Sequence, residues 1–181
     1  MLNLKDLSNK VDAQDIQQAI AQRYADHKYI IFNSYIFDWE SDYLSVNESG
    51  YVYECEIKVS LDDFKKDKLK KEKHLLLENK TDLKKMPNKF YYVTPRGLLP
   101  SFKIPVYAGL IEICSTKTGM QADVIKNAPF LHRENLLDEI KPLLLDKFYH
   151  KYKRTEFENY ELQKTVKILQ EQLKQKNDTS I

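Results

Sequence analysis

Glycine is scarce in this sequence, with 4 in 181 residues against 12 tyrosines. A compact fold with few glycine-rich loops follows, and the phosphate-cradling glycine loop of nucleotide-binding proteins is missing. Cysteine is sparse as well. Cys55 and Cys114 form neither a Cys-x-x-Cys pair nor a zinc spacing, and both fall in predicted strands, where they read as buried, reduced thiols. There is no run of eighteen apolar residues and no signal-peptide pattern, so no membrane association is expected and the cytoplasm is the expected location. The formal net charge of +2 is too small to announce a nucleic-acid binder by itself. The distribution of charge has to carry that argument instead. With 42% hydrophobic residues in 181, the chain is long enough for one domain with a substantial core.

The chain is organised around residues 42–58, DYLSVNESGYVYECEIK. Two β-rich runs flank Asn47-Glu48-Ser49-Gly50, a turn signal. A three-residue loop with Gly50 in the left-handed region sets Asn47 opposite Tyr51, Leu44 opposite Glu54 and Asp42 opposite Glu56. Alternation along the second arm puts Glu54, Glu56 and Lys58 on one face and Tyr51, Tyr53, Cys55 and Ile57 on the other, apolar face. Asp42 joins the Glu56–Lys58 face, so two carboxylates and an ammonium converge. Such a pair of carboxylates suits Mg²⁺ or Mn²⁺, and the lysine suits a phosphate or an attacking water. The ordinary alternative is a surface hairpin with charges on its wet face. A half-polar face in the middle of a sheet calls for a reason, and exposure to a cleft is one.

The residues that follow extend the pattern. After Lys58 come Val59-Ser60-Leu61-Asp62-Asp63-Phe64, a lysine-rich helix, then PNKFYYVTPRGLLP and IPVYAGLIEI. Over residues 14–125 this order resembles the PD-(D/E)XK nuclease superfamily, and within it the MmcB-type DNA-repair endonucleases. The resemblance implies a restriction-endonuclease-like α/β sandwich with a mixed central sheet flanked by helices. It implies a DNA-cleaving activity with Asp42 and Glu56 as metal ligands, the Ile57 carbonyl as a further ligand, and Lys58 as the catalytic lysine. Ser41 stands where many members have a proline. Glu40 lies on the Asp42 face by alternation and competes for the first acidic role. The first helix, which supplies another acid in many members, reads Asp15-Ile16-Gln17-Gln18 here.

Residues 61–79 are expected to form one helix. Its segment KKDKLKKEK sets Lys65, Lys66, Lys68, Lys70, Lys71 and Lys73 against Asp67 and Glu72, a local charge of +4. Phosphate contact and a solvated helix face are both open readings. Ser60 is placed to cap this helix or to touch the site, and Asp63 and Phe64 to tuck its start against the site. Lys73 and His74 could approach substrate, with the surface as the ordinary reading. Residues 1–10 read as a lead-in with Ser8 or Asp12 as helix cap, residues 11–24 as an amphipathic helix, and residues 28–37, 89–94, 107–114 and 119–125 as strands. Gly109 marks a place where helix and strand are expected to approach closely, and Arg96 sits in a proline-bounded loop.

The domain boundary is expected at 130/131, followed by a C-terminal helical extension with Pro142 inside it. Leu162, Val166, Leu169 and Leu173 follow a 4-3-4 spacing, as a heptad seam does, which favours either homodimerisation or packing on the chain's own domain. Residues 177–181 read as a fraying end. The sequence thus points to a metal-dependent nuclease acting on DNA, with RNA as an alternative substrate. The rival is a non-catalytic nucleic-acid-binding or scaffolding protein on the same fold.

Overall fold

The structure is a computed structural model describing residues 11–178 except Lys68 and Thr118, with side chains described through residue 175. The lead-in with Ser8, Lys68 of the basic segment and residues 179–181 lie outside the described residues. Six strands form one sheet: β1 (Tyr29–Tyr35), β2 (Glu40–Val46), β3 (Val52–Ile57), β4 (Lys89–Pro95), β5 (Ala108–Thr116) and β6 (Gly119–Lys126). They lie in sequence order. The β1–β2, β2–β3 and β5–β6 pairs are antiparallel, and β3–β4 and β4–β5 are parallel. A parallel neighbour requires a crossover. For β3–β4 it is made by α2 (Leu61–Asp67) and α3 (Lys71–Asn79). The chain is therefore an α/β fold with a mixed sheet.

Helix α1 (Ala13–Arg23) starts in a capping box, in which Asp12 accepts from the Asp15 N–H and Asp15 from that of Asp12. Its Ile16, Ala19 and Ile20 pack on Tyr43, Cys55, Ile57, Tyr91, Val93 and Ile111. The expected apolar face of β3 therefore does lie under a helix. The opposite face of the sheet holds a second core, in which Phe64 of α2 and Leu77 of α3 meet Phe90, Tyr92, Tyr107 and Leu110. Covered on both sides, β4 and β5 read as nearly unbroken apolar runs. The close approach at Gly109 is to the Tyr91 ring of β4 and the Ala128 main chain rather than to a helix, and a Cβ there would clash.

Residues 61–79 do not form one helix. The chain turns between α2 and α3, with Leu69 N–H bonding to Lys66 O and Lys70 N–H to Asp67 O. The break lets Asp67, Lys70 and Lys73 turn toward β3, which a straight helix with a solvated basic face would not do.

The first compact unit ends at Lys141, beyond the 130/131 position expected from sequence. Asn88 ties the intervening residues to the sheet by accepting from Val52 N–H and donating to the carbonyls of His132 and Glu134. Leu131, Leu136 and Ile140 are buried there. The second unit, from Pro142, is carried by α4 (Leu137–Asp178), with Pro142 inside the helix. No helix among the described residues is long and apolar enough to cross a membrane. Cys55 is buried as expected, whereas Cys114, near the sheet end of β5, is half-exposed, and both are free thiols.

Candidate functional site

The hairpin has the register that its turn chemistry dictates. Tyr43 pairs with Cys55 and Leu44 with Glu54, Asn47 N–H bonds to Tyr51 O, and Gly50 has φ of +75°. Past the Tyr43–Cys55 pair the strands part, and Asp42 reaches across with its side chain. Its Oδ2 accepts from the Ile57 N–H at 2.7 Å. Asp42, Glu56, Ile57 and Lys58 thereby meet on one wall of a cavity of about 710 Å³, with Asp63 and Lys70 beside them. Gln14, Gln17 and Gln18 of α1 and Asn33 of β1 line it as well.

Behind this wall lies a buried ionic cluster. Glu56 is 1% exposed and Lys58 4% although both line the cavity, so little of the polar face of β3 meets water. It is covered by α2, α3 and the turn between them. Glu56 Oε1 takes Lys58 Nζ at 2.9 Å and Lys70 Nζ at 2.5 Å, and Oε2 takes Lys73 Nζ at 2.7 Å. Lys73 also bonds to Glu54 Oε1 at 2.8 Å, where the Trp39 indole N–H donates too. Asp67 Oδ1 faces Lys58 and Lys70 at 3.3 and 3.4 Å. Its Oδ2 accepts from Tyr92 Oη at 2.7 Å and lies 3.2 Å from His74 Nε2, while Tyr107 Oη sits 2.7 Å from His74 Nδ1. Three carboxylates, Glu54, Glu56 and Asp67, thus face three ammoniums, Lys58, Lys70 and Lys73.

Protonation follows from these contacts. Burial opposes ionisation of Glu56, but Lys73 and Lys58 outweigh it and hold its carboxyl below the usual range. Asp67, equally resistant through burial, is held far below that range by hydrogen bonds from His74 and Tyr92 and by Lys58. Glu54 goes the other way, because complete burial pushes it up despite Lys73. Lys58 stays charged against burial because Glu56 and Asp67 surround it. Asp42 is the exception in the set. Among the described residues it forms no ion pair, and burial together with the nearby Glu56 charge pushes it up to about 6.

The structure therefore brings Asp42, Glu56, Ile57 and Lys58 together and leaves others apart. Glu40 is exposed and lies outside the cavity. Asp15 is engaged in the helix cap, so α1 turns glutamines toward the site. Ser60 is exposed and caps α2 by accepting from Asp63 N–H at 3.1 Å. Lys73, read from sequence as a surface or phosphate-contacting residue, is 3% exposed and buried between two glutamates. His74, also read as surface, is half-buried and turned inward on Asp67. Lys70 is tied to Glu56. Of the described lysines of the basic segment, Lys65, Lys66, Lys70 and Lys71 are exposed, and Lys65 pairs with Asp62. Arg96 pairs with Asp123 rather than standing free.

Three residues of the site were not singled out from sequence, where the α1 glutamines read as a solvent face. Asp67 counted only as one charge in a basic run. Gln17 donates to Asp42 O and to Asn33 Oδ1. Asn33 opposes Asp42 in β1 with φ of +44°, a conformation that a non-glycine residue holds only when its surroundings impose it. An asparagine inside a β-branched and aromatic strand was the available signal.

Mg²⁺ commonly binds through one or two carboxylates, with water and phosphate completing its shell. No group of three or more His, Cys, Asp or Glu side chains suited to a metal occurs among the described residues. A two-carboxylate site fits what is there. Asp42 faces the cavity without an ion pair among the described residues, although Lys58 and Lys70 lie near enough to favour its charge. Glu56 is next to it, and the cation on its cavity side, Lys70, is 46% exposed and free to withdraw.

No family model matches this chain, and no curated protein matches it. Among solved structures it is similar to the SPO1766 protein of unknown function from Silicibacter pomeroyi. The two are 17% identical with a TM-score of 0.56, over 79% of this chain and 87% of that one. At that identity the likeness shows the fold alone.

Proposed function

We propose that this protein is a metal-dependent nuclease of the PD-(D/E)XK type, similar to MmcB-type endonucleases, that hydrolyses phosphodiester bonds in DNA. The observation that carries this reading is the meeting of Asp42, Glu56 and Lys58 on one cavity wall, from two arms of one hairpin. Asp42 and Glu56, with the Ile57 carbonyl, are the residues that would hold Mg²⁺ or Mn²⁺. The ion, when bound, supplies polarisation of a phosphoryl oxygen and activation of water. Lys58, fixed by Glu56 and Asp67, orients the attacking water or neutralises charge on the phosphate in the transition state. Gln17 holds the Asp42 main chain. The exposed Lys65, Lys66 and Lys71 are left to attract the backbone, an interaction that weakens with salt. Two free thiols fit a reducing cytoplasm.

The test is Mn²⁺-dependent cleavage of single-stranded, duplex and branched DNA, and of RNA, by the parent, Asp42→Asn and Lys58→Met. Cleavage is expected from the parent, with losses of roughly 10²–10³-fold in each variant, the usual cost of removing a group that stabilises the transition state. Asp42→Asn is the cleaner variant, because it removes a carboxylate that no ion pair depends on. An Asp42→Asn protein as active as the parent would overturn the assignment.

One observation favours a second reading, the non-catalytic binding or scaffolding protein. Both oxygens of Glu56 are occupied by ammoniums. Salt-sensitive DNA binding without cleavage, and with no measurable metal affinity, would select that reading.

A further inference from the structure

The second compact unit, from Pro142 onward, consists of α4, and its apolar side chains are open to water. Leu145, Tyr152, Leu162, Val166, Leu169 and Leu173 are each between 50 and 65% exposed. An isolated helix in water gains little from propensity alone and relies on burying an apolar face. These residues keep one heptad register. Leu145, Tyr152, Val166 and Leu173 take position a, and Leu162 and Leu169 take position d with Phe148. The seam runs through the centre of the helix at Thr155, a d position, and Asn159, an a position.

We propose that this face pairs with a second copy of the chain as a parallel, in-register, two-stranded coiled coil. Three features select that occupant. Asn159 would be buried without a partner against an apolar surface, whereas in a parallel homodimer the two Asn159 amides face and hydrogen-bond each other; a lone polar residue at a is how such dimers fix register. Val166 at a between Leu162 and Leu169 at d is the β-branched and leucine combination that favours two strands. Lys151 at g and Glu156 at the next e bring opposite charges together across a parallel pair, twice by symmetry. Phe157, Tyr160 and Ile168 stay at outer positions of the helix. The inference is independent of the nuclease reading and holds for either function.

The experiment is sedimentation equilibrium of the full chain at micromolar concentration, with variants. The parent is expected at twice the 21.5 kDa of one chain, and Leu169→Glu close to the mass of a single chain. Lys151→Glu should weaken the dimer several-fold and Lys151→Glu with Glu156→Lys should restore it, a rescue that misfolding would not produce. Asn159→Val should shift the protein toward assemblies larger than a dimer. Leu173→Cys in a Cys114→Ser background should cross-link on oxidation, since the parallel arrangement sets equivalent positions side by side. A monomeric parent, a trimer, or an absence of cross-linking and charge-swap rescue would each overturn the proposal.

Discussion

Lys73→Met separates the two readings of the basic segment. Lys73 is nearly the size of methionine, so the substitution keeps volume and removes charge. Its ammonium is held by Glu54 at 2.8 Å and by Glu56 at 2.7 Å, over the Phe90 ring at 4.7 Å. Without it, Glu56 keeps Lys58 and Lys70. Glu54, fully buried, keeps only the Trp39 N–H, and its Oε2 has no hydrogen bond. Breaking a buried pair by removing one partner costs about 3–5 kcal/mol, a large part of the roughly 5–15 kcal/mol that holds a domain folded. For a chain of this size that lowers Tm by roughly 6–20 °C.

The loss should depend on pH with a definite sign. Glu54 already has its carboxyl raised by burial, and removing Lys73 raises it further. A carboxyl raised in the folded state binds a proton that the unfolded chain releases, so stability falls as pH rises above the unfolded value. Circular-dichroism melts should therefore show a greater deficit at pH 8 than at pH 5. Glu54→Gln placed in the Lys73→Met background should recover most of it. If Lys73→Met melts with the parent at both pH values, and weakens DNA binding with a salt slope lower by about one, Lys73 is a phosphate contact and the buried cluster is wrong.

Lys70→Met removes the ammonium on the cavity side of Glu56. On the nuclease reading it should raise Mn²⁺ affinity in calorimetry; unchanged or weaker binding would mean that Lys70 does not compete with the ion. His27, away from the site, bonds to Ser45 Oγ through Nδ1 at 2.8 Å, and burial lowers its pKa despite the nearby Asp26. A depressed folded value gives stability that is complete above the unfolded value of 6.5 and is lost as pH falls through the folded one. His27→Gln should flatten that decline in melts taken from pH 7.5 to 5, and an unaltered profile would assign the titration elsewhere. Gly109→Ala should destabilise by about 1–3 kcal/mol in urea titrations, since its Cβ would meet the Tyr91 ring and the Ala128 main chain; a neutral change would mean that the two strands part easily.

The hairpin was legible because its determinants are local. Gly50 fixes the loop, the loop fixes the register as far as the Tyr43–Cys55 pair, and beyond it Asp42 reaches the Ile57 N–H with its side chain instead of pairing with Glu56. The apolar runs of β4 and β5 were equally clear, because burial on two faces leaves a direct mark on composition. The break between α2 and α3 left no such mark. KKDKLKKEK has helix-forming residues throughout, and a run of lysines reads as a solvated face. That run is bent by what its charges meet in space, glutamates on a strand and an aspartate within the run itself. The same holds for the late end of the first unit, which depends on Asn88 reaching residues more than forty positions away. Periodicity reports apolar burial well and reports nothing about paired charges, whose partners cancel only in three dimensions.

That cancellation bears on how the site would work. Glu54, Glu56 and Asp67 are matched by Lys58, Lys70 and Lys73, so the wall behind the cavity presents little net charge to a ligand. Asp42 and Asp63, which also line the cavity, are the remainder, and both are acidic. A phosphodiester approaching the cavity meets those carboxylates, and its attraction must come from Lys65, Lys66 and Lys71 on the outer surface. On the nuclease reading, a cation held at Asp42 would reverse that balance where the phosphodiester lies. On that reading, then, divalent metal should tighten the binding of DNA at the cavity in the parent and have little effect in Asp42→Asn, where a carboxylate that would hold the ion is gone. Binding measured with and without Mn²⁺, under conditions where no cleavage occurs, tests that coupling apart from turnover. If metal tightened binding equally in both proteins, the source would be general neutralisation of the nucleic acid, and Asp42 would lose its place at the centre of the site.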